Sequence, residues 1–484
     1  MYIGYDASIM KHKKWILKGH VLLHFDTWML LLLLLHVAAA TRIAMYNRPD
    51  IVDVHPLDQH IPLNGQAYRP PPPLAYANAS IFLGVASFRD GERCGYTLFS
   101  AFEQAAYPRR LQVGVVDQKL PGDKACLDVY CALALGKWPG DECRYKDQIR
   151  INEQDANASR GPNVARHFQQ ALVEDETFCL QVDAHSMFIQ DWDVRLLHEW
   201  TKANNEMAVL TTSLHTPQPE FEEPMQHPHL CTTTRGDDGA VRIEGASMLL
   251  EATTPQLSAL YGAGFAFSKC HAETRVRIDP KTLWMVDGGD FLRAAHLWTH
   301  GYDFYSPSIT VAYHNSSTPP PLRFESSVQV DISTRDTEHL LGVNRYKASL
   351  GLPVVGPLDA TNLDLYAFGT ARLFPDYLAF AGIDLSTNHD SHSCRQLIWQ
   401  PYVDPAAVEA LLPGWKMANP VHMPKEMSAI HHGQLRVVHS RMKGVPYQIH
   451  AMITMAAMLS GLVVFVVKMS WRRRRRQLTK FIER

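Results

Sequence analysis

Two side chains with metal-binding atoms lie two positions apart at the end of an apolar segment. Asp183 and His185 directly follow the apolar residues 177–182. Side chains at i and i+2 of an extended chain point to the same side, so both can face one ion. A carboxylate and an imidazole together suit Mn²⁺, which also bridges two phosphates. For this tripeptide alone, an ordinary strand end with polar residues is the alternative.

The surrounding pattern predicts the sheet that positions this pair. Apolar strand-like segments alternate with helical ones from residue 81 onward: strands at 81–87, 111–116, 148–151, 177–182 and 208–210, helices around 98–102, 164–172 and 194–200. This alternation predicts an α/β fold with a mostly parallel sheet covered on both faces. Ligands of such sheets bind beyond the carboxyl ends of the strands. Ser87, Asp117 and Asp183 all lie at such ends.

Composition and motifs exclude several classes of function. The chain has 484 residues, a net charge of −2 and 20% charged residues, a balance that does not favour a nucleic-acid partner. It contains no G-x-G-x-x-G and no G-K-S/T sequence. These absences argue against a dinucleotide cofactor and against ATP hydrolysis.

Two apolar segments predict a protein anchored in the lipid bilayer. Residues 449–467 carry no formal charge apart from a histidine, and five arginines follow at 472–476. This length crosses a bilayer, and such a basic block stays cytosolic. The predicted order is a cytosolic tail (1–20), an uncleaved transmembrane signal-anchor (21–41), a proline-rich stem (42–79), a globular domain (80–385), a membrane-proximal segment (386–446), a transmembrane helix (449–467) and a basic cytosolic tail (468–484). A cleaved signal peptide is the alternative for the first segment.

This topology places the eight cysteines in an oxidising lumen. Cys126, Cys131 and Cys143 lie in a loop-like segment and are disulfide candidates. Cys179 lies inside an apolar strand, and we expect it to be a buried thiol. The chain has no C-x-x-C pair, which argues against a structural zinc site.

Several motifs, in order along residues 80 to 385, resemble the polypeptide α-N-acetylglucosaminyltransferases of protists and fungi. The matching segments are Ala86-Ser87-Phe88-Arg89-Asp90, Ser159-Arg160-Gly161-Pro162, Gln181-Val182-Asp183-Ala184-His185, Asp191-Trp192-Asp193 and His296-Leu297-Trp298-Thr299-His300-Gly301-Tyr302-Asp303. The resemblance implies a GT-A-like Rossmann-type fold. It also implies retaining transfer of GlcNAc from UDP-GlcNAc to a polypeptide hydroxyl, in the Golgi or the ER.

The resemblance also implies a divalent cation, Mn²⁺ or another such as Mg²⁺, and a site for the donor. Asp183 and His185 are the predicted metal ligands, with His314, after the predicted strand 309–313, as the third. Guanidinium groups match phosphate in a bidentate fork, and the first amides of a helix attract anions. The predicted donor-binding residues are Ser87, Arg89, Arg160, Gly161, Pro162 and Arg166.

One departure from the family pattern concerns catalysis. The family usually carries G-E-E where this chain has Gly288-Gly289-Asp290. Asp290 is either a catalytic residue that contacts the sugar or the acceptor, or only the N-cap of a helix predicted at 291–300. Two alternative functions follow: a non-catalytic lumenal module that binds nucleotide-sugars or glycans, and a transferase for a different UDP-sugar.

Overall fold

The protein is described from a computed structural model, which covers residues 51–53, 70–74, 78–217, 226–244, 247–250, 252–316, 322–391, 393–394 and 399–417. The strands are β1 Ile51–Asp53, β2 Ile81–Phe88, β3 Leu111–Lys119, β4 Ile149–Asp155, β5 Phe178–Asp183, β6 Ser186–Phe188, β7 Ala208–Thr211, β8 Gln226–His229, β9 Thr233–Arg235, β10 Val241–Ile243, β11 Ser247–Leu250, β12 Gln256–Ser258, β13 Phe265–Lys269, β14 Asp303–Ser306 and β15 Ala312–His314. The helices are α1 Gly91–Gln104, α2 Cys126–Lys137, α3 Pro162–Gln170, α4 Trp192–Lys202, α5 His271–Arg275, α6 Gly289–Thr299, α7 Phe324–Ser327, α8 Ile332–Ser349, α9 Phe374–Ala381 and α10 Ala406–Leu411.

Eight of these strands form the central sheet, in the order β12-β14-β7-β13-β5-β2-β3-β4. The pairs β2/β3, β3/β4, β2/β5 and β7/β14 are parallel. Only β13 and β12 run against the other strands of this sheet. The predicted mixed α/β fold with a mostly parallel sheet is confirmed.

The register of the sheet brings the predicted strand ends together. Ser87 of β2 pairs with Asp117 of β3, and Ala86 pairs with Asp183 of β5. Leu83 and Val85 are fully buried, because helices cover both faces of the sheet. The polar residues that follow these buried segments therefore share one edge.

Val164, Phe168, Ala171 and Leu172 fall on one face of the helical pattern and predict the buried side of α3, but the structure buries a different face. Phe168 is 37% exposed, whereas Gln169 and Gln170 are 4% and 5% exposed. A Cβ at Gly84 of β2 would overlap the Gln169 amide, so the polar side chain lies directly on the strand. Gln170 donates to Glu273 Oε2 at 2.6 Å. The packing of α3 on the sheet therefore includes a polar contact at a glycine, and the hydrogen bond to Glu273 joins α3 to α5.

All eight cysteines lie in disulfides, which pair Cys94–Cys126, Cys131–Cys143, Cys179–Cys270 and Cys231–Cys394. The predicted candidates Cys126, Cys131 and Cys143 are thus bonded. The prediction of a buried Cys179 thiol is wrong, because Cys179 on β5 reaches Cys270 at the end of the adjacent antiparallel strand β13.

The two predicted transmembrane segments, 21–41 and 449–467, lie outside the described residues, as do both tails and most of the stem. Within the described part of the chain, no helix is long and apolar enough to cross a bilayer. Part of the predicted membrane-proximal segment packs on the domain. Trp399 and Tyr402 are each 1% exposed. The Trp399 indole donates to Asp303 Oδ2 at 2.8 Å.

Candidate active site

A tight turn between β5 and β6 presents Asp183 and His185. The Thr97 hydroxyl of α1 fixes this turn, donating to the carbonyls of Ala184 and Ser186 at 2.9 and 2.8 Å. The Ser186 hydroxyl donates to the Asp183 carbonyl at 2.9 Å. The backbone of the turn is thus held by buried contacts, while the Asp183 side chain stays 43% exposed.

The third predicted ligand reaches the turn through a short sheet. Strand β15 pairs antiparallel with β6, and His314 lies opposite Ser186. The His185 and His314 rings meet edge-to-face with centroids 4.5 Å apart. Burial and the nearby His185 lower the pKa of His314. His314 therefore favours the neutral form, in which an imidazole nitrogen keeps a lone pair for a ligand.

The donor atoms of this cluster suit a divalent cation. Asp183 Oδ2 and His185 Nε2 lie 3.9 Å apart. Ligands of one such ion stand about 2.0–2.2 Å from it, so two of them are separated by at most about 4.4 Å. Among the described residues, however, no three His, Cys, Asp or Glu side chains form a ready-made metal centre. The three predicted ligands thus lie near one another but do not surround a single point.

One arginine joins the two predicted acidic residues of the site. Arg166 Nη2 lies 4.0 Å from Asp183 Oδ1, and Nη1 lies 3.4 Å from Asp290 Oδ1. The Arg166 side chain is 17% exposed, whereas those of Asp183 and Asp290 are 43% and 36% exposed, so water partly screens both pairs. A planar guanidinium can face two carboxylates at once. Arg166 from α3 therefore couples β5 to α6.

Asp290 does not cap the helix that it was predicted to precede. Helix α6 begins at Gly289, and the N-cap is Gly288, whose φ of 82° is left-handed. The cap hypothesis is therefore wrong. Asp290 lies in the first turn, where its Oδ2 accepts from the Ala263 amide at 3.2 Å. Burial raises the pKa of Asp290, and Arg166 opposes that rise.

A cavity of about 240 Å³ opens beside these residues. Asp183, Asp290 and His314 contribute to its lining. Gly264 keeps it open, since a Cβ at this position would lie 3.0 Å from Asp183 Oδ2. The site thus combines acidic groups, neutral imidazole and an arginine at the rim of a pocket large enough for part of a sugar.

A family model described as Glycosyltransferase (GlcNAc) matches residues 80–136 and 133–387 of this chain. The chain belongs to this glycosyltransferase family. The matched residues contain every residue of the predicted site, and the predicted resemblance is confirmed. No curated protein shows a significant match to the chain.

Three solved structures show distant similarity to this glycosyltransferase. GalNAc-T7 with UDP, GalNAc and Mn²⁺ is 12% identical with a TM-score of 0.39, covering 63% of this chain and 56% of that one. The mannosyltransferase PcManGT of Pyrobaculum calidifontis, with GDP-Man and Mn²⁺, is 12% identical with a TM-score of 0.36, covering 73% and 80%. S. aureus TarS 1–349 is 12% identical with a TM-score of 0.30, covering 56% and 72%. The assignment therefore rests on the family model.

All three predicted donor-binding arginines of the glycosyltransferase form ion pairs within the protein, but two of them pair away from Asp183 and Asp290. Arg89, with a left-handed φ of 51°, donates to both carboxylate oxygens of Asp123 at 2.7 and 3.0 Å. Arg160 Nε lies 2.6 Å from Glu338 Oε2, and its Nη1 donates to two backbone carbonyls. Of the three, only Arg166 lies beside the acidic pair.

The remaining predicted donor-binding residues lie at the end of β2 (Ser87) and at the start of α3 (Gly161 and Pro162). Ser87 is 1% exposed, and its hydroxyl has no hydrogen-bond partner among the described residues. Gly161, with φ 113°, is the N-cap of α3, and Pro162 is its first residue. The Phe324 ring lies 3.3 Å from where a Gly161 Cβ would stand. The Phe324 ring therefore packs against Gly161 at the start of this helix.

Sequence reasoning missed one neighbour of the predicted ligands. Asp90 Oδ2 lies 3.8 Å from His185 Nδ1, on the ring side away from Asp183. Arg93 Nε holds Asp90 through both carboxylate oxygens, each at 2.9 Å. A carboxylate on the far nitrogen is a common orienting partner of ligating histidines. The family motif that ends at Asp90 contained this signal.

Proposed function

We propose that this glycosyltransferase is metal-dependent and moves GlcNAc from UDP-GlcNAc to a polypeptide hydroxyl, Ser/Thr or hydroxyproline, with retention of configuration. The observation that carries the proposal is the convergence of Asp183, His185 and His314 with the Arg166–Asp290 pair beside one cavity. The family description supports GlcNAc as the sugar.

Each side chain then has a chemical task. Asp183, His185 and His314 hold the cation, Mn²⁺ or Mg²⁺, which when bound stabilises charge on the departing diphosphate as a Lewis acid. Arg166 provides positive charge at the same place and offsets the mutual repulsion of Asp183 and Asp290. Asp290 faces the cavity, where its carboxylate can accept a hydrogen bond from a sugar or acceptor hydroxyl.

Turnover of UDP-GlcNAc by the purified full chain tests this proposal. We expect Mn²⁺-dependent release of UDP, faster with a hydroxyl-bearing peptide and abolished in Asp183→Ala. Calorimetry with Mn²⁺ present should show that this variant loses UDP binding while its thermal unfolding is unchanged. Unaltered UDP affinity in Asp183→Ala would remove the metal-site assignment, and a screen of other UDP-sugars tests the alternative donor.

A non-catalytic binding module is the second candidate, because Asp290 stands where the family usually has a longer acid. In that case UDP-GlcNAc binds with Mn²⁺, but neither hydrolysis nor transfer follows. The same measurements distinguish the two candidates, since binding and turnover are read separately.

We further propose that the domain lies in the lumen of the Golgi or ER, held in the bilayer by the apolar segments 21–41 and 449–467. The four disulfides support this, because such bonds persist in oxidising compartments. Protease protection in sealed microsomes tests it: an epitope near Gly122 should survive until detergent is added. Digestion without detergent would exclude the lumenal location.

A further inference from the structure

The cavity beside the proposed donor site has a second set of lining residues with no assigned role. They come from the chain that follows β7 and β8 and from the end of β10 with the residue after it: Thr212, Ser213, Leu214, Leu230, Ile243 and Glu244. Three of these side chains are apolar, and Glu244 alone among the six carries a charge. This composition differs from the acidic and imidazole-rich part formed by Asp183, Asp290 and His314.

Two glycines, Gly262 and Gly264, also line the cavity and add no side chain to it. A Cβ at Gly262 would lie 2.9 Å from Leu230 Cδ1, and one at Gly264 would lie 3.0 Å from Asp183 Oδ2. The wall between Asp183 and Leu230 therefore includes glycine backbone. A second substrate that enters beside the exposed Glu244 can reach the donor end.

The charge of Glu244 is only partly balanced by the protein. Its Oε1 accepts from the Thr234 hydroxyl at 2.7 Å, and Arg242 Nη1 stands 3.9 Å away. Arg242, however, donates to both carboxylate oxygens of Asp287, at 2.8 and 2.6 Å. Among the described residues, one cation between these two carboxylates leaves a net negative charge. Glu244 is 42% exposed, so an incoming cation can reach it.

We propose that these residues form the acceptor subsite and that Glu244 selects polypeptides with a lysine or arginine next to the hydroxyl residue that receives the sugar. This inference rests on the proposed function, because it places the acceptor hydroxyl at the Asp290 end. Leu214, Leu230 and Ile243 then pack against apolar atoms of the acceptor chain. Glu244 pairs with its basic side chain.

Matched acceptor peptides test the subsite with the full chain. Two peptides differ only in having lysine or glutamate beside the serine, and their binding is measured by calorimetry with UDP and Mn²⁺ present. A pair of partly exposed charges changes affinity by up to about fivefold. Wild type should prefer the lysine peptide by about that factor, Glu244→Gln should bind both equally, and Glu244→Lys should prefer the glutamate peptide. Glu153→Gln, an exposed acid paired with Lys119, is the control and should keep the wild-type preference.

UDP-sugar hydrolysis without peptide separates this inference from the proposed function. An unchanged peptide preference in Glu244→Gln and Glu244→Lys would overturn the subsite, as would the absence of any preference in wild type. A Glu244-dependent preference in a protein that turns over no donor would uphold the subsite and overturn the transferase.

Discussion

At the scale of single residues, the site depends on where one carboxylate stands. Asp183 is 43% exposed and is held by the backbone of its turn rather than by a strong side-chain partner, since Arg166 Nη2 is 4.0 Å away. Its position therefore responds to small changes in the adjacent wall. Among the glycines, Gly264 is the one whose added Cβ would lie closest to the Asp183 carboxylate.

We predict that Gly264→Ala impairs the site without unfolding the protein. The new Cβ would stand 3.0 Å from Asp183 Oδ2, the end of a flexible side chain that can move aside. A shift of this carboxylate by about 1 Å is enough to cost about a hundredfold in rate. We expect weaker Mn²⁺-dependent UDP binding and a thermal midpoint within a few degrees of wild type.

Gly136→Ala on α2 is the matched control for Gly264→Ala, because its added methyl would meet nothing within 4 Å. Calorimetry and thermal unfolding should leave this variant like wild type or slightly more stable. Equal UDP affinity in wild type and Gly264→Ala would show that the Asp183 carboxylate is not a determinant of donor binding.

Asp290→Asn tests the catalytic role that remains now that the cap role is excluded. The amide keeps the volume but loses the charge that faces Arg166 at 3.4 Å. We expect transfer to fall by about a hundredfold, as for loss of an oriented polar group at a reacting centre, while UDP still binds. Asp290→Glu tests whether the shorter side chain limits the reaction. A rise in activity would indicate that the family's longer side chain suits the site better. Full activity in Asp290→Asn would exclude catalysis by Asp290.

At the scale of elements, helix α3 carries Arg166 to the site, and its contact with β2 sets its position. The contact is a polar one, because Gln169 lies on Gly84. Its apolar periodicity predicted the helix but indicated the wrong buried face. A pattern of apolar residues cannot show that a glycine on another strand makes room for an amide.

We predict that Gly84→Ala destabilises the domain by about 1–3 kcal/mol, the usual cost of overpacking a well-packed core. The new methyl overlaps the Gln169 amide and pushes α3 away from the sheet. Gln169→Ala in the same chain removes the overlapping atoms and should recover part of the loss. Thermal unfolding of both single variants and the double variant measures this coupling. Additive effects would show that the two residues do not determine the packing of α3.

At the scale of the whole molecule, the sequence predicted the central sheet but not how distant segments come together at the site. Residues 81–88, 111–119 and 178–183 alternate with helical segments, so the strand ends and Asp183 followed from local pattern. The pairing of β15 with β6 joins distant parts of the chain, and no local pattern specifies such a partner. His314 was therefore placed by resemblance. The disulfide Cys179–Cys270 was missed for the same reason, since β5 and β13 become neighbours only in the folded sheet.

Three buried histidines predict how the folded domain responds to acid. Burial lowers the pKa of His229 to about 4 and the pKa values of His271 and His296 to about 3. Arg275 adds to the effect at His271, and His300 and Arg293 add to it at His296. In the unfolded chain a histidine has a pKa near 6.5. Between the lowered pKa values and about pH 6.5, the unfolded chain therefore binds more protons than the folded chain.

Above about pH 6.5 the free energy of unfolding should therefore not depend on these histidines. It should fall as the pH decreases from 6.5 toward 4, and each histidine should contribute on the order of 1–3 kcal/mol to this fall. Denaturant unfolding at a series of pH values measures the slope. His296→Gln should reduce the pH dependence of the free energy of unfolding by the contribution of one histidine, because the neutral amide does not titrate. The exposed His339, 44% exposed at its side chain, supplies the control, because His339→Gln should leave the slope unchanged. A flat stability profile from pH 7 to 4.5 in the wild type would show that these imidazoles are not held neutral by burial.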